Sequence, residues 1–248
     1  MHRRLLIRPG AIGDVILWLP QAESLLADYT EIWAPRAVLP LIKIAERTQA
    51  IADSGIELVG VLDDARVPAL ETFDSIYSWY GTNRQEFRDA VAHLPFTFLP
   101  PFPIPDFGHP RIAVPKAPID NFAAIHPFSG SPRKNWPIEN FRAAAQGLGL
   151  PVRWIAGPED SIENAVRYDN LYDLACWLST ARIYIGNDSG ITHLAAAVGV
   201  PVAAIFIETD PAVWAPRAER VEVLVRPNVG EVVAAARRLL AQNPNRLL

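Results

Sequence analysis

The chain has 248 residues, half of them hydrophobic, and a formal net charge of −4 at pH 7. This length is enough for one large core or two smaller ones. The small negative charge and the lack of a polybasic run argue against a nucleic-acid-binding protein and against a segment that binds anionic membranes. The single cysteine, Cys176, excludes an intrachain disulfide framework, and we interpret it as a small buried apolar residue.

The N-terminal segment has only a superficial likeness to a signal peptide. Arginines precede an apolar stretch, but Arg8, Pro9, Gly10, Gly13 and Asp14 interrupt it. A signal peptide would need a longer apolar run. No segment approaches the ~18 uninterrupted apolar residues of a membrane span. We therefore expect a cytoplasmic protein, with at most peripheral contact at the inner face of the membrane.

Short apolar runs alternate with amphipathic runs, which is the pattern of parallel strands joined by helices. The strands predicted in the first half are residues 5–8, 31–34, 57–62 and 75–78. A helix is predicted over about 14–28, because apolar residues recur there at helical spacing. These residues are Val15, Leu19, Ala22 and Leu26.

Prolines cluster between residues 95 and 118. Proline removes a backbone donor and blocks helix, so this stretch predicts a semi-rigid connector. We place a domain boundary here, which gives domains 1–117 and 118–248. A long surface loop of a single domain is the alternative. The strand–loop–helix order that restarts at Phe122 favours the boundary.

The second half repeats the same alternation more clearly. Its predicted strands are residues 122–126, 152–156, 183–186, 201–207 and 221–225, and its helices begin near Pro137, Ser161, Leu171, Ser189 and Gly230. Each half can form a doubly wound sheet. Two such lobes facing each other would leave a cleft, and ligands bind such sheets at the carboxyl ends of the strands.

Three loops with small residues follow predicted strands directly, at 8–14, 126–137 and 186–193. Backbone N–H groups and the helix dipole make such loops natural anion sites. In the loop at 186–193, Asp188 or Ser189 can cap the helix and Gly190 lets a ligand approach the backbone. His193 follows about one turn later. A diphosphate cradle and an ordinary N-cap with a buried histidine explain this loop equally well.

The loop at 126–137 combines small residues with two cations. The small residues are Ser129, Gly130 and Ser131. Arg133 and Lys134 can bind phosphate oxygens. A solvated charged loop is the alternative, but the preceding strand and the helix that starts at Pro137 favour a functional loop.

The loop at 8–14 is less informative. Gly10 and Gly13 free its backbone, and Asp14 opens a helix. Taken alone, Asp14 is more simply a favourable charge at the helix dipole than a catalytic base.

Several common motifs are absent from the sequence. The lack of G-x-G-x-x-G disfavours a dinucleotide-dependent oxidoreductase, and the lack of a P-loop excludes a P-loop kinase. The lack of G-x-S-x-G disfavours an α/β-hydrolase. There is also no Asp-x-Asp pair to clamp a metal–diphosphate complex, so amides and cations would have to stabilise a leaving diphosphate.

Taken in order, the three loops resemble family-nine glycosyltransferases, the heptosyltransferase family of lipopolysaccharide core biosynthesis. The matching segments are Gly13-Asp14 with Leu19-Pro20, His126-Pro127, Lys134, Trp136-Pro137, Asp188-Ser189-Gly190 with His193, Gly199 with Pro201, and Thr209-Asp210-Pro211. The resemblance covers nearly all of the second half and about the first thirty residues.

The resemblance implies a GT-B fold, with two facing Rossmann-like, doubly wound parallel-sheet lobes. It implies an inverting, metal-independent transferase without a cofactor. The donor would be a nucleotide-diphosphate sugar, usually ADP-heptose, and the acceptor a glycan or glycolipid such as lipopolysaccharide core. Two alternatives remain: a non-catalytic relative that binds nucleotide sugars, and a nucleotide-sugar epimerase or hydrolase on the same scaffold.

The resemblance also implies roles for single residues. Asp14 would be the general base, on an acceptor-side loop with Gly10 and Gly13. Lys134 would hold donor phosphate, beside Ser129, Gly130 and Ser131. The remaining donor-binding residues would be Ser189 and Gly190 for the diphosphate, Asp188 and His193 for the donor sugar, Glu159 or Glu163 for the ribose, and the backbone near Leu171 for adenine.

One departure from the family pattern lies beside the expected diphosphate site. Ile207-Glu208 stands where the family has Gly-Pro before Thr-Asp-Pro. An acidic group at this position would weaken donor binding or change which donor is used.

Overall fold

The computed structural model describes residues 1–62, 65–102 and 107–242. The chain forms two compact units, residues 1–107 and 108–248. The division falls before the predicted boundary at 117, because residues between position 107 and that boundary bond to the second unit. The Ile112 N–H donates to the Ala197 carbonyl at 3.0 Å. Pro103 and Pro105 of the proline-rich stretch lie outside the described residues.

The first unit contains a five-stranded parallel sheet in the order β3-β2-β1-β4-β5. The strands are β1 (Arg3–Ile7), β2 (Tyr29–Ala34), β3 (Arg47–Ala50), β4 (Ser75–Ser78) and β5 (Phe96–Phe98), and the helices are α1 (Ile12–Ser24) and α2 (Gln85–Ala90). Leu5, Leu6 and Ile7 of the central strand are all fully buried, as expected for a parallel strand covered on both faces.

The second unit contains another five-stranded parallel sheet, in the order β10-β9-β8-β6-β7. Its strands are β6 (Ala123–His126), β7 (Val152–Trp154), β8 (Ile183–Asn187), β9 (Val202–Phe206) and β10 (Val221–Val225). Its helices are α3 (Ile138–Gly147), α4 (Leu171–Leu178), α5 (Gly190–Ala197), α6 (Pro211–Trp214) and α7 (Val229–Ala241).

Each unit has its own hydrophobic core. In the first, Leu5, Trp33 and Ile76 of the sheet pack with Phe87 of α2. In the second, strand residues such as Ile125 and Ile185 pack with α3 and α7. Buried Trp136 joins the loop after β6 to this core, since its indole N–H donates to the Pro227 carbonyl at 3.0 Å. No helix in the described parts of the chain is long and apolar enough to cross a membrane.

Two predicted elements of the sequence are wrong. The apolar run at 57–62 is not a strand; it contains a 3₁₀ turn, Ile56–Leu58, and an isolated bridge from Val59 to Leu62. Gly60 has a φ of +75° in this run, and a Cβ there would lie 2.7 Å from the Glu86 backbone. A left-handed residue pressed against α2 bends the chain out of an extended course.

No helix begins at Ser161. Residues 157–167 form a loop in which the Arg167 guanidinium donates to the carbonyls of Gly157 (3.2 Å) and Asp160 (2.6 Å). Two strands, β3 and β5, are present without having been predicted. α1 begins two residues before the predicted start at Asp14 and ends at Ser24.

The order of strands in each sheet defines a point where consecutive crossovers leave in opposite directions. In the first sheet this point lies between β1 and β4, and in the second between β6 and β8. Ligands of open α/β sheets bind at this point, beyond the carboxyl ends of the strands. The three predicted loops follow β1, β6 and β8, so the fold puts each of them at such a position.

Candidate functional site

In the second unit, the candidate site is built on the N-terminus of α5. Ser189 is the N-cap residue, with extended φ and ψ of −150° and 162°, and its hydroxyl accepts from the Thr192 N–H. The first N–H groups of a helix have no partner within it and point at any ligand beyond its end. Because the Ser189 side chain caps the helix, the backbone of Ser189 and Gly190 is the part of this turn suited to bind an anion.

A buried polar cluster lies under this cap. His126, at the end of β6, is 7% exposed, and its Nδ1 is 3.4 Å from the Ser189 hydroxyl. Thr192 joins the same cluster, with its hydroxyl 3.2 Å from that of Ser189 and 3.0 Å from that of Tyr184. Burial lowers the pKa of His126 to about 4, although the Asp160 carboxylate acts in the opposite direction. His126 is therefore neutral near pH 7 and accepts or donates only uncharged hydrogen bonds.

Asp188 follows β8 and bonds to side chains in the segments that follow β6 and β9. Its carboxylate is 5% exposed, lies 2.9 Å from the Lys134 ammonium and accepts from the Thr209 hydroxyl at 2.6 Å. The His193 ring nitrogen lies 4.0 Å from the other carboxylate oxygen. A buried carboxylate needs such partners, because an unpaired charge is costly to desolvate. The structure thus brings together the predicted residues Lys134, Asp188, Ser189 and His193.

The loop after β6 is fixed to β8 by a fully buried amide. Asn187 donates to the Pro127 carbonyl at 2.7 Å and accepts from the Trp136 N–H at 2.9 Å. The Ser129 hydroxyl is engaged within the loop, 2.7 Å from Asn135 Oδ1. A Cβ on Gly130 would meet nothing within 4 Å, so close packing is not what this position requires.

Arg133 of the same loop makes a second ion pair. Its guanidinium lies 3.5 Å from the carboxylate of Glu208, which follows β9. Their side chains are 82% and 47% exposed. Glu208, which departs from the family pattern, therefore places a carboxylate opposite Arg133, one of the two cations of this loop.

The predicted ribose and adenine residues lie in the segment after β7. Glu159 and Glu163 are both exposed on the loop that Arg167 organises. Leu171 is the first residue of α4, whose N-cap is Asn170. The geometry does not separate Glu159 from Glu163 as the ribose ligand, and that choice stays a prediction.

In the first unit, Asp14 lies in the first turn of α1, where its carboxylate accepts from the Ala11 N–H at 2.7 Å. Gly10 packs directly on it, since a Cβ there would lie 2.9 Å from Asp14 and the φ of Gly10 is +119°. Gly13 is the second residue of α1. The left-handed φ and the close contact with Asp14 both favour glycine at position 10. The acceptor-side role of this loop stays a prediction.

Arg8 is a residue that sequence reasoning missed at this end of the sheet. It is 3% exposed; its guanidinium donates to the Pro101 carbonyl at 3.1 Å and approaches the Asp14 carbonyl at 3.4 Å. Burial lowers its pKa, while the Asp14 carboxylate favours the charged form. Its Nε has no partner among the described residues. The sequence signal was only an arginine directly after an apolar strand.

Residues 109–236, more than half of the chain, match the model of glycosyltransferase family 9 (heptosyltransferase). The chain belongs to this family. It is therefore a glycosyltransferase, and the matched residues coincide closely with its second unit. No curated protein matches the sequence.

Solved structures resemble this glycosyltransferase over both units. A family 9 glycosyl transferase from Veillonella parvula is 17% identical, with a TM-score of 0.75 and 97% of each chain covered. The ADP-heptose LPS heptosyltransferase II of E. coli is 16% identical, with a TM-score of 0.70, and 98% of this chain and 99% of that chain are covered. The E. coli heptosyltransferase WaaC with ADP is 14% identical, with a TM-score of 0.65 and coverage of 97% and 99%.

These likenesses concern the fold. The glycosyltransferase has two α/β units with parallel sheets, and its fold matches solved members of the same family, so the predicted GT-B-type fold is confirmed. The predicted membership in family nine is confirmed as well.

Proposed function

We propose that the chain transfers a sugar, a heptose in the first instance, from an ADP-linked donor to a saccharide acceptor such as lipopolysaccharide core. The observation that carries the proposal is the pairing of Lys134 with Asp188 beside the N-terminus of α5, in the unit that matches the family. Heptosyltransferases of similar fold have been solved with ADP and with an ADP-heptose analogue.

The donor diphosphate would bind at the Ser189–Gly190 turn. Backbone N–H groups and the helix dipole favour a negative ligand there. The Lys134 ammonium has three donors and is partly exposed, so it can keep its bond to Asp188 and still donate to a phosphate oxygen. We assign Asp188 and His193 to the donor sugar, Glu159 or Glu163 to the ribose, and the backbone at Leu171 to adenine.

In the proposed reaction, an acceptor hydroxyl attacks the anomeric carbon while the bond from that carbon to the diphosphate oxygen breaks. The nucleoside diphosphate leaves and the configuration inverts. Negative charge grows on the leaving diphosphate, and Lys134 with the amides of α5 is arranged to stabilise it. We propose that these protein groups supply the positive charge for this step in place of a metal ion.

The acceptor proton would pass to Asp14. One carboxylate oxygen of Asp14 already accepts from the Ala11 N–H, which fixes the side chain, and we assign the proton to the other oxygen. General-base catalysis of this kind contributes about 10²–10⁴-fold to a rate.

Calorimetric binding of ADP, UDP and GDP tests the donor site. We expect selective binding of ADP and a loss of about 10–100-fold in Lys134→Ala, because a hydrogen bond to a charged group is removed. Lys116→Ala is the matched control, since Lys116 is exposed in the same unit. Wild-type protein that binds none of the three nucleotides contradicts the proposal.

Transfer from ADP-heptose to deacylated lipopolysaccharide core tests the base. Asp14→Asn keeps an acceptor for the Ala11 N–H but loses the charge, so we expect unchanged ADP affinity and a rate lower by about 10²–10⁴-fold. A variant that transfers sugar at the wild-type rate shows that the base is another group. Wild-type protein that binds ADP but transfers no sugar supports the non-catalytic alternative.

A further inference from the structure

Each of the two cations in the loop after β6 forms an ion pair with a carboxylate. The two carboxylates lie in the segments that follow two different strands. Lys134 pairs with Asp188 after β8, and Arg133 pairs with Glu208 after β9. The two pairs are joined through the chain, because Glu208 precedes Thr209, whose hydroxyl donates to Asp188. The expected phosphate site is thus lined by two positive and two negative groups.

The two carboxylates differ in how firmly they are held. Asp188 is buried and has both Lys134 and Thr209 as partners. Glu208 is 47% exposed, and its pairing distance to Arg133 is 3.5 Å. Exposed ion pairs of this kind contribute little to folding. Stability therefore gives no strong reason for a carboxylate at position 208.

The backbone around Glu208 is nevertheless fixed. On one side the Ile207 carbonyl accepts from the Arg226 guanidinium at 3.0 Å, and on the other Thr209 bonds to Asp188 at 2.6 Å. The backbone of Glu208 is therefore anchored on both sides, and its carboxylate pairs with Arg133 at 3.5 Å. An anion bound by Arg133 would lie near the Glu208 carboxylate.

We propose that Glu208 is a specificity-determining residue that weakens binding of the free nucleoside diphosphate more than binding of the nucleotide sugar. The inference rests on the proposed function, because it requires a diphosphate at Lys134. Both phosphates of a nucleotide sugar are esterified, so its diphosphate carries two negative charges. The terminal phosphate of a free nucleoside diphosphate has a second pKa of about 6. The whole diphosphate therefore carries close to three negative charges at pH 7.

A negative group beside the site repels a ligand in proportion to the ligand's charge. Glu208 also competes with the ligand for Arg133. Both effects penalise the product of sugar transfer more than the donor, which favours release of the product and limits its inhibition of the next cycle. Lys134 and the α5 amides, which do not face this competition, would still bind the donor.

The test compares binding of a nucleotide and its sugar conjugate to wild type and Glu208→Gln. ADP with ADP-glucose is the first pair, followed by UDP with UDP-glucose and GDP with GDP-mannose. In Glu208→Gln we expect ADP to bind about tenfold more tightly and ADP-glucose about fivefold more tightly. The change in the ratio of ADP affinity to ADP-glucose affinity should become smaller as the salt concentration rises, because salt screens exposed charges.

Glu222→Gln is the matched control. Glu222 of β10 also pairs with an arginine, Arg238 of α7, so the substitution makes the same change of charge in the same unit. It should leave both affinities as in wild type. Thermal unfolding of Glu208→Gln and Glu222→Gln establishes that both variants are folded.

The outcomes separate this inference from the proposed function. Wild type that binds the nucleotides, together with an unchanged ADP to ADP-glucose ratio in Glu208→Gln, overturns the inference alone. If neither wild type nor Glu208→Gln binds any nucleotide, both are overturned. Wild type that binds both ligands, together with a preference for ADP over ADP-glucose that rises in Glu208→Gln, supports the inference.

Discussion

His126 illustrates how a single buried side chain makes the second unit sensitive to pH. Burial holds its pKa at about 4, against an ordinary value of 6.5. Between these pH values the unfolded chain binds a proton at His126 that the folded chain does not. Acidification from pH 6.5 to 4 therefore favours unfolding, by up to ~3 kcal/mol from this group. Stability should be regained as the pH rises through the same interval.

Urea unfolding measured at several pH values between 4 and 7 checks this expectation. His126→Asn retains an acceptor near the Ser189 hydroxyl but cannot titrate, so the free energy of unfolding should fall less steeply on acidification than in wild type. His93→Asn is the control, because His93 is exposed in the other unit. Equal pH dependence in wild type and His126→Asn would show that His126 is not buried in its neutral form.

The positions of single candidate residues were predictable where their signal is local. Gly10, Asp14, Lys134 and Ser189 lie in the three segments that follow β1, β6 and β8, which the loop pattern marked. Their roles in the site stay predictions. Partners such as Thr209 and Arg8 were not predictable as part of the site. Thr209 bonds to a carboxylate 21 positions away and Arg8 to a carbonyl 93 positions away. No local pattern specifies such contacts, which depend on which strands become neighbours.

At the scale of the elements, α5 allows its capping role to be separated from ligand binding. Ser189→Ala removes a cap and should cost about 1 kcal/mol of stability. If the diphosphate is bound by backbone N–H groups, nucleotide affinity should fall only by about threefold, through fraying of the first turn. Denaturant unfolding and calorimetric titration with ADP measure the two quantities on the same samples.

The cap of α7 provides the matched comparison. Asn228 accepts from the Glu231 N–H in a complete capping box. Asn228→Ala should therefore cost a similar ~1 kcal/mol and leave ADP affinity unchanged. A loss of ADP binding in Ser189→Ala of a hundredfold or more would indicate that the Ser189 hydroxyl itself binds the phosphate.

Four strands of the second unit were predicted with bounds close to those observed, including the partly exposed edge strand β10. The predicted bounds of β10 are those observed. Those of β6 and β8 differ by one residue at one end, and those of β9 by one residue at each end. β3 has the polar sequence Arg-Thr-Gln-Ala and β5 has only three residues, so neither produces a clear apolar run. The run at 57–62 was misassigned because short apolar segments do not distinguish a strand from a buried turn.

At the scale of the whole chain, the alternation of strands and helices was enough to predict two α/β sheets. The position of the division was harder to predict. Proline content marks where the helix pattern is interrupted, whereas the division depends on bonds such as Ile112 to Ala197. Residues 108–117 belong to the second unit because of tertiary contacts, which composition does not report.

The presence of a separate sheet and core in each unit predicts that nucleotide binding is a property of the second unit alone. The proposed phosphate contacts, from Lys134 to Gly190, all lie within residues 108–248. That segment, expressed alone, should unfold cooperatively and bind ADP within about threefold of the full chain, because no proposed nucleotide ligand is removed. Sugar transfer should be lost, since Asp14 is absent.

Residues 1–107 expressed alone are the control and should not bind ADP. If 108–248 folds cooperatively but does not bind ADP, the first unit contributes directly to the nucleotide site, and the assignment of the donor to the second unit is wrong.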